Sequence, residues 1–170
     1  MRGAVSGVCI VTTDGPHGRY GLTVSSMTSV SVEPPMLLVC INRNNVAHDA
    51  IVANRRFAIN MLAVHQQQLA ARFAGSNEHG PAYEFDHGDW SDTDSGLPQL
   101  TNSAAIFECE LDMAISAGTH SILIGQVETA CGRDIAPLAY SNREYGLPVG
   151  LEAANTLFMG TKNVLEATPL

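Results

Sequence analysis

Between Gly21 and Asn42 the chain reads GLTVSSMTSVSVEPPMLLVCIN. A hydroxyl-rich, β-branched run meets a double proline and then a continuously apolar run. β-Branched residues sit well on a pleated surface and poorly in a helix. Glu33-Pro34-Pro35 interrupts the ladder, because proline has no N–H to donate. Leu22–Val32 is therefore read as strand structure, and Met36–Ile41 as a strand buried on both faces.

The same reading extends along the chain. Val5–Thr13 is apolar and β-branched and stops at Asp14-Gly15-Pro16, a turn signal. A helix follows Asn44-Asn45, which offer an N-cap, with Ala47, Ala50 and Ile51 at helical spacing. Phe57–Leu62 returns to strand, and Val64–Phe73 reads as helix, with Leu69 and Phe73 one turn apart. Residues Ala104–Ile115 and His120–Ala130 form two strands joined by a turn at Ser116-Ala117-Gly118-Thr119. From Gly75 to Leu100 the chain is rich in glycine and proline and holds six of the 17 acids and the only Trp. A loop of that length is functional or packed on a partner. Many strands, two short helices and no βαβ rhythm predict a mainly antiparallel β-barrel with helices attached. GxGxxG and P-loop patterns are absent, so a Rossmann reading is excluded.

Composition narrows the partners. Nine basic against 17 acidic residues give a net charge of -8, which repels phosphate backbones and excludes nucleic acid and anionic membrane as partners. Only 15% of residues are charged, which predicts that part of the surface is covered by a second subunit. No run reaches the roughly 20 apolar residues of a membrane span, and the N-terminus lacks a secretory h-region. The expected location is the cytoplasm. Cys9, Cys40, Cys109 and Cys131 form no CxxC pair and lie in or beside apolar runs. They are expected to be buried free thiols. His17, His65, His79 and His87 show no ligand spacing, and no metal site is expected.

The hydroxyls of Thr23, Ser25, Ser26, Thr28, Ser29 and Ser31 admit two readings. They form the solvated face of a strand, or they meet the donor–acceptor rim of a flat heteroaromatic ligand. The wider sequence bears on the choice. GLTVSSMTSVSVEPP resembles G-(M/L)-T-(V/A)-S-(S/A)-x-x-S-V-S-x-x-P-P of the short-chain flavin reductase family. These are the FMN-binding split-barrel proteins that include the reductase components of two-component flavin monooxygenases. The resemblance continues through HDAI, Arg55–Leu62, Phe85, Trp90 and Gly96–Leu100. It resumes at Ala117-Gly118-Thr119-His120 and Ile124-Gly125-Gln126-Val127, and Pro137–Tyr140 with Tyr145-Gly146 resemble the family's closing strand, so that roughly residues 3 to 148 are covered in family order.

The resemblance implies a six-stranded antiparallel Greek-key split barrel over residues 1–150, with a C-terminal extension from 151 to 170. It implies a homodimer that passes a hydride from NADH or NADPH to FMN or FAD and supplies reduced flavin to an oxygenase partner. A flavin-binding barrel without significant reductase activity is the alternative. The flavin ring and ribityl chain are expected on Thr23, Val24, Ser25 and Ser26, with Cys40, Ile41 and Asn42 on the neighbouring strand. The phosphate is expected near Asn44, Asn45 and His48, at the start of the helix. There the chain reads Asn44-Asn45-Val46-Ala47, where the family commonly has Ser and Thr. Asn44 and Asn45 are thus ligands or plain N-caps. Arg72 and Phe73 are either a cation and an aromatic for the nucleotide, or a solvated arginine beside a core phenylalanine. Tyr145 is a further implied contact. His120 is expected either to orient the nicotinamide or to satisfy a turn, and Thr119 precedes it in place of the usual Asp.

Overall fold

The computed structural model describes residues 3–78, 83–86 and 88–154. The expected extension beyond residue 154, and His79 and His87, lie outside the described residues. The described residues form twelve strands: β1 (Ser6–Gly7), β2 (Cys9–Thr13), β3 (Tyr20–Val24), β4 (Thr28–Val32), β5 (Pro35–Asn42), β6 (Arg56–Met61), β7 (Trp90–Asp92), β8 (Pro98–Leu100), β9 (Ala105–Ala117), β10 (His120–Gly132), β11 (Ala139–Ser141) and β12 (Glu144–Gly146). Helix α1 spans Val46–Asn54, and a 3₁₀ turn at Val64–Gln66 leads into α2, Gln67–Phe73.

The main sheet is antiparallel and seven-stranded, in the order β3-β2-β6-β9-β10-β5-β4. It has one strand more than the six expected. Its two edge strands, β3 and β4, are consecutive in sequence and joined only by Ser25–Met27. Laid flat, such a sheet would hold its edges about 29 Å apart at roughly 4.8 Å per strand. The chain from Val24 to Thr28 spans about 14 Å at most. The sheet must curl until its edges meet, and the result is a barrel split along one seam.

Alternation places one side chain set inside. Cys9, Val11, Leu22, Val24, Leu37, Val39, Ile41, Phe57, Ile59, Leu111 and Leu123 fill the interior, and Ala47 and Ile51 of α1 join them. Asn45 caps α1 by accepting the Ala47 N–H at 2.9 Å. Gly125 marks a close approach inside: a Cβ there would lie 2.6 Å from the Phe57 ring. A second core lies on the outer face of β2, where Val8 and Ile10 meet Leu62, Leu69, Phe73, Leu100 and Leu138.

Three expectations are revised. The stretch from Gly75 to Leu100 is not wholly irregular, since β7 and β8 pair within it. The C-terminal strands do not close the barrel, because β11 and β12 form a separate three-stranded sheet with β1. Met36–Ile41 is covered on one face only. Leu37, Val39 and Ile41 are buried, whereas Met36, Leu38 and Cys40 are half-buried on the outside. Opposite them in register lie Ile122 and Ile124 of β10, followed by Ile115 and Met113 of β9. Directly opposed residues share a face, so these side chains form one apolar outer surface.

All four cysteines are free, and not all are buried: Cys131 is exposed and Cys40 intermediate. Burial pushes the Cys9 thiol up to about 12. Burial, reinforced by Glu108 and Glu128, does the same to Cys109. Neither interior thiol can act as a thiolate near neutral pH. Among the described residues, no helix is long and apolar enough to cross a membrane.

Candidate functional site

The seam that closes the barrel opens into a cleft of about 380 Å³. Leu22, Thr23, Val24, Ser25 and Ser26 run along it. Phe73, Ala74 and Tyr83 flank one end, and Cys40, Asn42, Asn45 and His120 flank the other. The volume lies within the roughly 300–1,000 Å³ of small-molecule sites. No Asp, Glu, Lys or Arg is among the described residues that line the cleft. No group of three or more metal-ligating residues occurs among the described residues.

Several hydroxyls named from sequence are engaged by the protein itself. Thr23 Oγ1 donates to the Ala70 carbonyl at 2.8 Å, tying β3 to α2. Ser26 Oγ accepts from the Cys40 N–H and donates to the Cys40 carbonyl, both at 3.0 Å. That pair of bonds is a clasp across the seam, joining the end of β3 to β5. Ser25 is exposed between these two anchors, and no described residue engages its hydroxyl.

The amides are engaged in a similar way. Asn42 Oδ1 accepts the Asn44 N–H at 2.9 Å, and Asn45 Oδ1 caps α1. With both oxygens occupied, Asn42 and Asn45 can still offer N–H donors. These suit the carbonyls of a flavin or the oxygens of a phosphate at a helix N-terminus. Ser25 and the two amides fit the polar rim of a flat, uncharged heteroaromatic ring.

His120 enters at the tip of the β9–β10 hairpin, paired with Asn42 on one side and Ala117 on the other. The two-residue turn is Gly118-Thr119, with Gly118 at φ 61°. Glycine at the first central position is what the tight hairpin turn favours. Three contacts fix this tip. The Arg43 guanidinium donates to the Gly118 carbonyl at 2.5 Å, and the Arg43 N–H to the Thr119 carbonyl at 3.0 Å. His48 Nε2 lies 2.9 Å from Ser121 Oγ, while its Nδ1 meets Asp49 at 2.8 Å. The Thr119 hydroxyl is 2.9 Å from His120 Nδ1 and can donate or accept as the imidazole requires.

Five residues expected at the site lie elsewhere. Ile41 is buried in the barrel interior. Asn44 is exposed at the bend before α1 and does not line the cleft. His48 is held under the hairpin, a support for His120 and not a wall of the cleft. Arg72 is neither solvated nor in the cleft; it is 2% exposed and pairs with Asp86 at 2.7 Å. It borders a neighbouring cavity with His65 and Leu69. Tyr145 packs its ring 5.4 Å from Tyr140 in the small sheet. Tyr83 and Arg43 are the residues that sequence reasoning missed. Tyr83 lies in a loop without periodicity, and Arg43 only in the bend after a strand.

A curled antiparallel sheet with a cleft opening along its seam defines a split barrel. The chain belongs to the family described as flavin reductase like domain, whose model matches residues 1–147. It is 43% identical over 140 residues to the FMN reductase (NADH) RutF of Variovorax paradoxus strain S110, covering 81% of this chain and 76% of that one. It is 35% identical over 158 residues to the reductase component of the FADH(2)-dependent resorcinol hydroxylase of Rhizobium sp. strain MTP-10005, covering 90% and 87%. The crystal structure of BorF, the flavin reductase component of a bacterial two-component tryptophan halogenase, superposes with a TM-score of 0.79 at 31% identity, covering 88% of this chain and 94% of that one.

Proposed function

We propose that this chain is an NADH-dependent flavin reductase that uses FMN, works as a homodimer in the cytoplasm and delivers reduced flavin to an oxygenase component. The observation that carries the reading is the cleft itself. It pairs an uncharged, polar-rimmed slot with a histidine braced at its mouth, and none of its described lining residues is a carboxylate or a lysine. Bound flavin supplies the hydride acceptor, and such chemistry asks the protein only for binding and alignment of two rings.

The residues divide that work. Ser25 and the amides of Asn42 and Asn45 meet the polar rim of the ring. His120 orients the nicotinamide by hydrogen bonding, and Thr119, Arg43 and His48 keep it in place. The homodimer is supported by the apolar outer surface of β5, β10 and β9, where Met113 and Ile115 remain 48% and 43% exposed. FMN, NADH and an oxygenase partner are supported by the names of the relatives.

The direct test follows NADH absorbance while FMN, FAD or riboflavin is supplied in turn. Flavin-dependent NADH loss, fastest with FMN, is the expected result. Flavin binding without NADH consumption would overturn the reductase reading and leave a flavin-binding barrel. His120→Ala refines the test. Losing a neutral hydrogen bond costs roughly 0.5–1.5 kcal/mol, and misalignment adds to it. The expected fall in kcat/KM for NADH is about tenfold, or about 1.4 kcal/mol. The flavin Kd should stay near the wild-type value, because His120 acts on the second substrate. A collapse of flavin affinity with normal turnover would move His120 onto the flavin.

A further inference from the structure

We infer that Tyr83 is a positioning residue of this cleft, its phenol ring a stacking wall for a planar heteroaromatic ring of the bound nucleotide. The inference rests on the flavin-reductase reading above.

Tyr83 lines the cleft beside Phe73 and Ala74. Its φ is 64°, in the left-handed region. A bulky side chain seldom adopts that conformation, and it persists only where surrounding contacts enforce it. Here they do. The Tyr83 N–H donates to the Arg72 carbonyl at 3.3 Å. Asp86, a few residues on, accepts from the buried Arg72 guanidinium at 2.7 Å. Between them Phe85 packs 5.2 Å from Phe73 and 4.9 Å from Trp90, with the Arg19 guanidinium 5.0 Å over its ring.

Gly75 completes the arrangement. It follows α2 at φ 96°, and a Cβ there would lie 2.7 Å from the Tyr83 hydroxyl oxygen. The phenol therefore rests over the one residue type that leaves it room. Two left-handed residues, a buried ion pair and an aromatic cluster converge on the placement of one side chain. Yet that side chain is 45% exposed, so core packing does not account for it.

An aromatic ring held rigidly at the wall of a nucleotide-sized cleft is a stacking platform. The last carbonyls of α2 also give this end partial negative charge, which suits a neutral ring better than a phosphate. The isoalloxazine of a flavin and the adenine of FAD share the chemistry required.

The test measures Kd by fluorescence quenching for riboflavin, FMN and FAD with wild type, Tyr83→Asn and Tyr83→Phe. Asparagine tolerates the left-handed backbone and removes the ring, and phenylalanine keeps the ring. Tyr83→Asn should weaken binding about tenfold with its melting temperature at or above wild type, and Tyr83→Phe should restore affinity. Equal weakening for all three ligands assigns the isoalloxazine, and weakening for FAD alone assigns adenine. Should Tyr83→Asn lower the melting temperature, Tyr83→Leu against Tyr83→Phe makes the same comparison at similar bulk. Unchanged affinity in the ring-free variant overturns the inference, as does a Tyr83→Phe variant as weak as Tyr83→Asn. Wild-type protein that binds none of the three flavins overturns the flavin reading and this inference together. Wild-type binding with an indifferent Tyr83 overturns only this one.

Discussion

Replacing Ser25 with leucine should weaken flavin binding about a hundredfold while the protein stays folded. A hundredfold loss corresponds to about 2.7 kcal/mol, within the range that overpacking of a fitted space costs. Ser25 is exposed along the cleft, between two residues that the fold itself employs. A branched side chain there enters the volume that the ring needs and meets nothing in the interior. Its neighbour behaves differently. Ser26→Ala removes both bonds of the clasp to Cys40 and should lower the melting temperature, because partly buried backbone groups lose their partner. Fluorescence quenching with FMN and thermal unfolding, run side by side on the two variants, separate the effects. Wild-type FMN affinity in Ser25→Leu would remove this segment from the site.

That contrast shows where sequence reading stopped. The hydroxyl-rich run was legible as strand, because β-branched residues and the double proline are local signals, while its place at a ligand cleft came from the resemblance to the flavin reductase family. Which hydroxyl stays available was not legible. Thr23 answers to Ala70 and Ser26 to Cys40, partners far along the chain. Asn45 illustrates the opposite case: its cap is made to Ala47, two residues on, so the local signal for α1 was sufficient.

Arg72 and Tyr83 were hidden for the same non-local reason. The spacing of Leu69 and Phe73 marks a buried helical face, and Arg72, next to Phe73, looked free to reach solvent. The segment around Phe85 and Asp86 folds over it and supplies the ion pair. Nothing in an acidic, glycine-rich stretch announces that it will do so. The strand count failed more gently. Whether β11 and β12 complete the main barrel or pair with β1 in a small sheet depends on register, which apolar content does not encode.

Met36–Ile41 holds the remaining ambiguity, and it leads to the second large effect. A continuous apolar strand signals burial on both faces, but it does not say whose atoms do the burying. The interior covers Leu37, Val39 and Ile41. The outer face, with Leu38 opposite Ile124 and Ile124 opposite Met113, leaves Met113 48% exposed among the described residues. A second copy applying the same face is the self-complementary solution that symmetric dimers use. Light scattering should therefore give about twice the 18.1 kDa chain mass. Ile124→Glu should convert the protein to a monomer at micromolar concentration, since burying an unpaired carboxylate in an apolar interface costs several kcal/mol. The circular dichroism spectrum should be unchanged, because Ile124 points away from the barrel core. Val5→Glu, at a residue 71% exposed just before β1 and outside the main sheet, should remain dimeric and serves as the control. A monomeric wild type, or a dimer indifferent to the charge at position 124, would mean that this face is not where two copies meet.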